Sequence, residues 1–82
     1  MNIKEFVIHN PEYEDILRRA VEEEEKNRNS NYLGWGWDQV RAYPARLMKL
    51  VTVGIAKINY KSNRYTFYLL ENREAVKEAL KR

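Results

Sequence analysis

The 82-residue sequence predicts a single α+β domain with a three-helix core, a C-terminal β-hairpin and a closing C-terminal helix. Three observations predict it. Pro11 and Pro44 each stand where an amphipathic run begins, with apolar residues following at spacings of three and four. Two β-rich runs, residues 55–60 and 64–70, flank the polar tip Lys61-Ser62-Asn63. Asn72 then opens a last amphipathic segment. A chain this short buries only about 60–65% of its unfolded surface, so a small, single core is expected.

The elements follow in order. Phe6-Val7-Ile8 reads either as a short strand or as an apolar staple against the first helix. Helix 1 is expected over residues 11–28, with Asn10 as its cap, Pro11 in its first turn, and Glu12, Glu14 and Asp15 facing the positive end of its dipole. Its stripe is Tyr13, Ile16, Leu17, Ala20 and Val21. The wheel puts Glu24 in mid-stripe, so the buried part is expected to end near Val21 and the helix to overhang the core. The polar run 27–31 ends it. Trp35 and Trp37, set among glycines, read as core or loop packing, with a stacking platform for single-stranded bases as the sharper alternative.

Asp38 is expected to cap a short helix 2 over residues 38–42, and Pro44 forces a turn at Tyr43 before a helix over 44–53. Short helix, tight turn and second helix make a helix-turn-helix pattern. On the wheel Leu47, Leu50 and Val51 share the buried face of the 44–53 helix, with Tyr43 near its end. Ala45, Lys49 and Thr52 lie opposite, and Arg46 and Met48 lie on the flanks. Gly54 suits the left-handed position that ends such a helix. The hairpin is expected over 55–70 and the last helix over 72–81, closing the fold or offering a dimer contact.

Charge is distributed unevenly along the chain. Residues 1–35 carry five basic and eight acidic side chains, while residues 36–65 carry Arg41, Arg46, Lys49, Lys57, Lys61 and Arg64 against Asp38 alone. The cationic stretch points to an anionic partner, and the Glu22–Glu25 run to a side that faces away from it. With no cysteine, disulfides and zinc-thiolate sites are excluded, and one histidine leaves no paired-ligand metal spacing. No cofactor or metal is expected. Nor does any nucleophile–base arrangement stand out, so the chain is expected not to be an enzyme. Without a signal pattern or an 18-residue apolar run, a soluble, cytoplasmic protein with no membrane partner is expected.

The segments P-A-R-L-M-K-L-V-T-V-G-I (residues 44–55) and Y-K-S-N-R-Y-T-F-Y-L-L (residues 60–70) resemble the recognition helix and wing strand of the winged helix-turn-helix superfamily, particularly its small prokaryotic and archaeal-type DNA-binding members. The resemblance covers roughly residues 11–80. It implies binding of double-stranded DNA, with the 44–53 helix in the major groove and the hairpin as a wing on the backbone. The protein would then be a transcriptional regulator or the DNA-binding module of a larger DNA-handling protein. By position, Arg46, Lys49 and Thr52, with the small Ala45 beside them, would face base edges. Arg41, Lys57, Lys61 and Arg64 would hold phosphates. The alternative is a winged helix that binds another protein or a second copy of itself, with Tyr60, Tyr65 and Tyr68 as anchors.

Overall fold

Helix α1, Ile3–His9, begins where the Asn2 side chain accepts the Glu5 N–H (3.1 Å). The computed structural model, which describes residues 2–81, continues with α2 Tyr13–Lys26, α3 Trp37–Val40, α4 Pro44–Thr52, β1 Ala56–Lys61, β2 Thr66–Leu70 and α5 Arg73–Leu80. The chain is thus α+β, with five helices and one antiparallel hairpin among the described residues.

The N-terminal apolar cluster is neither a strand nor a simple staple. It is a helix that buries Phe6 and Val7 and packs on α5. Phe6 still meets Tyr13 edge-to-face at 5.1 Å, the contact a staple would make. Asn10 also works in the opposite sense to the expected cap. Its amide donates to the Phe6 carbonyl (2.9 Å) and closes α1, while Pro11 and Glu12 form a turn leading into α2.

Helix α4 is set by local chemistry at both ends. Tyr43 is extended (ψ 149°), as the residue before a proline must be, and Pro44 takes the first turn. At the other end Gly54 (φ 82°) donates to the Val51 carbonyl and Ile55 donates to the Leu50 carbonyl, a Schellman closure. Leu47 and Leu50 are wholly buried, each contributing roughly 1.5–3 kcal/mol of transfer free energy. Tyr43 lies outside this face, 79% exposed.

Strands β1 and β2 pair in antiparallel register from Ala56↔Leu70 to Lys61↔Thr66, with an irregularity between Ile58 and Tyr60. Trp35 adds a bridge to Tyr68 on the other edge of β2, exchanging both backbone hydrogen bonds (2.9 and 2.8 Å). Their rings stack in the core at 5.5 Å. Gly34 makes the approach possible: its φ is 129°, and a Cβ there would collide with the Tyr68 carbonyl.

The bridge stops after Trp35, which leaves the Leu70 N–H without a strand partner. Glu24 supplies one. Its Oε2 accepts from Leu70 N (2.7 Å) and from Trp35 Nε1 (2.8 Å), and its Oε1 lies 3.6 Å from Arg73. Glu24 is only 6% exposed, so α2 does not overhang the core beyond Val21 as its charge run suggests. One carboxylate joins α2, the bridge, β2 and α5.

Beside this junction the Tyr32 hydroxyl is shielded from solvent with no hydrogen-bond partner among the described residues. Burial first, then Glu23 and Glu24, push its pKa up from 10.0 to about 12. The native state holds this proton more tightly than the unfolded chain. The associated stability is complete below pH 10 and is lost as pH rises through about 12. Tyr32→Phe is therefore expected to make the alkaline limb of the stability–pH curve shallower. At neutral pH it should match the parent or exceed it by up to ~1 kcal/mol, because an unpaired buried hydroxyl is removed. Urea unfolding at a series of pH values checks both effects, and an unchanged alkaline limb would contradict them.

Candidate functional site

Apart from Lys4, which is exposed on α1, and Arg46, the basic side chains of the described residues fall into two populations. Those on or just beyond α2 and α5 are compensated by carboxylates, except Arg19, whose guanidinium donates to the Val40 carbonyl (3.5 Å): Arg18 by Glu14, Lys26 by Glu23, Arg28 by Glu25, Arg73 by Glu24, Lys77 by Glu25 and Lys81 by Glu78. The Lys77 ammonium (2.7 Å) holds the Glu25 carboxyl below its usual range, with Arg28 adding to the effect. The second population comprises Arg41, Lys49, Lys57, Lys61 and Arg64. All are exposed, and none of their side chains has an ion pair or hydrogen bond within the described part of the chain. An unpaired cation in water keeps its full charge for an incoming anion.

Each position has a structural reason. Arg41 ends α3 in the left-handed conformation (φ 55°), beside a shallow groove lined by Trp37, Asp38 and Tyr43. Ala45 and Lys49 lie on the outer side of α4, across the helix from Leu47 and Leu50. Thr52 is on the same side, but its hydroxyl donates to the Met48 carbonyl (2.9 Å), so its methyl and accepting oxygen are what it presents. Lys57 and Lys61 extend from β1, and Arg64 from the tip. Ser62 stiffens that tip: its hydroxyl accepts from Tyr65 N (3.1 Å) and Arg64 N (3.3 Å).

Arg46 differs from the expectation of a free recognition side chain. It turns back to α2, pairing with Glu12 at 3.3 Å with its guanidinium 5.7 Å from the Tyr13 ring centre. Both members of the pair are exposed, so it contributes at most about 1 kcal/mol.

Trp37 is the exposed residue that the sequence treats together with Trp35. Trp35 is 0% exposed and Trp37 is 50% exposed. Trp37 and Pro44 form one wall of a groove of about 270 Å³, and Lys61, Asn63, Arg64 and Tyr65 form the other. The groove is braced beneath: Gly36 N–H donates to Gln39 Oε1 (2.6 Å), the Tyr65 hydroxyl donates to the same oxygen (3.4 Å), and Gly36 leaves room for the Tyr65 ring. α3 runs from Trp37 to Val40, so Asp38 lies within its first turn and is not its cap, because Gly36 and Gln39 provide the closure.

Among the described residues there is no cluster of three or more His, Cys, Asp or Glu side chains suited to a metal ion. No described helix is long and apolar enough to cross a membrane. Comparisons with protein-family models, with curated proteins and with solved structures find no match to this chain.

Proposed function

We propose that this domain is a winged helix-turn-helix module that binds double-stranded DNA, with α4 as the recognition helix and the β1–β2 hairpin as the wing. The observation that carries the reading is the segregation of charge. Arg41, Lys49, Lys57, Lys61 and Arg64 are exposed and uncompensated, whereas the cations of α2 and α5, Arg19 apart, are paired with carboxylates. Arg41, Lys57, Lys61 and Arg64 hold phosphates and set the register. Ala45, Lys49 and Thr52 face base edges, small enough or long enough for close approach. Arg46 joins them by releasing Glu12, at the small cost of an exposed pair. The domain acts as a transcriptional regulator or as the DNA-binding part of a larger protein.

Lys49→Ala and Arg64→Ala are each expected to weaken binding to a short duplex by roughly fivefold or more, without changing the fold. Fluorescence anisotropy measures the affinity, and circular dichroism checks the fold. Unchanged titration curves for both variants would sink the site.

A protein-binding role is the second reading, favoured by Ile58 and Tyr60 on β1, which are exposed apolar side chains on the hairpin. Retention on a heparin column that falls steeply with salt separates the two, since apolar docking has little salt dependence.

A further inference from the structure

We propose that the groove between Trp37 and the hairpin tip holds one unpaired nucleotide, so that the domain prefers duplex ends carrying a single-stranded tail over continuous duplex. The proposal rests on the duplex-binding reading above and names the kind of DNA end that reading would select.

A tryptophan carries a large apolar area, and the fold buries Trp35 completely, yet two residues later leaves half of Trp37 in water. The backbone at Trp37 is held in place. The Trp35 bridge anchors the chain before it, α3 starts at it, and Gln39 ties Gly36 and Tyr65 beneath the groove. An exposed ring on a fixed backbone is a stacking surface for which only the side chain need be ordered when a ligand arrives.

The facing wall identifies the ligand. Lys61 and Arg64 bring uncompensated positive charge to the groove, and Arg41 adds more in the neighbouring groove that Trp37 also lines. An aromatic ring that shares a groove with two cations suits a base joined to a phosphate. At about 270 Å³ the groove falls just below the ~300–1,000 Å³ of small-molecule sites, which suits one nucleotide and not a base pair.

The same geometry excludes the interior of a duplex. Inside a double helix both faces of every base are covered by neighbouring pairs, and only edges show in the grooves. A ring offered for stacking is of no use there. An unpaired base at the end of a duplex has a free face. Because Pro44 belongs both to this groove and to the first turn of α4, a duplex that ends beside that turn would present its unpaired base at Trp37.

The test compares three probes by fluorescence anisotropy: a blunt duplex, the same duplex with a short single-stranded tail, and the single strand alone. Tailed duplex is expected to bind about 5- to 150-fold more tightly than blunt, the range found when a base stacks on an aromatic side chain. Trp37→Ala should bring that ratio to about one, and Trp37→Phe should keep most of it. Tailed DNA should quench the tryptophan fluorescence of the parent, and the buried Trp35 remaining in Trp37→Ala should not respond. Equal binding of tailed and blunt duplex would overturn the proposal and leave duplex binding standing. Single strand bound as tightly as tailed duplex would also overturn it, since α4 would then contribute nothing. Failure to bind either duplex would remove both readings.

Discussion

Glu24→Ala is expected to destabilise the protein by about 3–5 kcal/mol, the usual cost of removing one partner from a buried ionic contact. Two donors that Glu24 satisfies, Trp35 Nε1 and Leu70 N, would be left in the interior, and Arg73 would lose its carboxylate. Arg73 already has its Nε buried without a partner, so it has little means of compensating. For a small domain with total stability of ~5–15 kcal/mol, that is a large share, and the thermal midpoint should fall by more than about 12 °C. Glu24→Gln keeps one acceptor and the shape and should cost less. Urea unfolding of both variants measures the effect, and a loss below ~1 kcal/mol for the alanine variant would contradict the role given to this carboxylate.

Affinity for duplex DNA is expected to fall steeply with salt. If four to six phosphates are contacted, the logarithm of the binding constant should decline against log salt with a slope of about −3.6 to −5.4. A fourfold rise in salt would then weaken binding roughly 150- to 1,800-fold. Arg64→Ala should make the slope shallower by about 0.9, because one counterion fewer is released. A slope near zero would mean that the unpaired cations do not meet phosphate.

What could be read from the sequence was what local chemistry decides. Pro44 starts α4, Gly54 ends it, and Leu47 and Leu50 mark its buried side, all within one short segment. The hairpin was legible from its β-rich runs and polar tip for the same reason. The stretch that closes α1 misled, because an apolar triplet carries no period of its own. Its helical form rests on the Asn2 cap and on packing against α5 at the far end of the chain.

The misreadings at the site have the same cause. The wheel put Glu24 in the buried stripe, but nothing nearby announces its donors, which lie 11 and 46 residues further on. Arg46 faces Glu12 across 34 residues, so its position on the helix flank could not show that it turns inward. Trp35 and Trp37 look equivalent in sequence, and only the bridge to Tyr68 sends one ring into the core and leaves the other beside the hairpin tip. The unpaired cations, by contrast, were visible as a charge bias. The structure adds that the cations elsewhere are mostly neutralised by neighbouring carboxylates.

The most direct measurement is an amide-shift titration of the labelled protein with a short random-sequence duplex at low salt. Shifts are expected at Arg41, Ala45, Lys49 and Thr52 and along the hairpin at Lys57, Lys61 and Arg64, with α5 and the Glu22–Glu25 turn of α2 unmoved. No shifts at saturating duplex, or shifts confined to α1 and α5, would contradict the DNA-binding account.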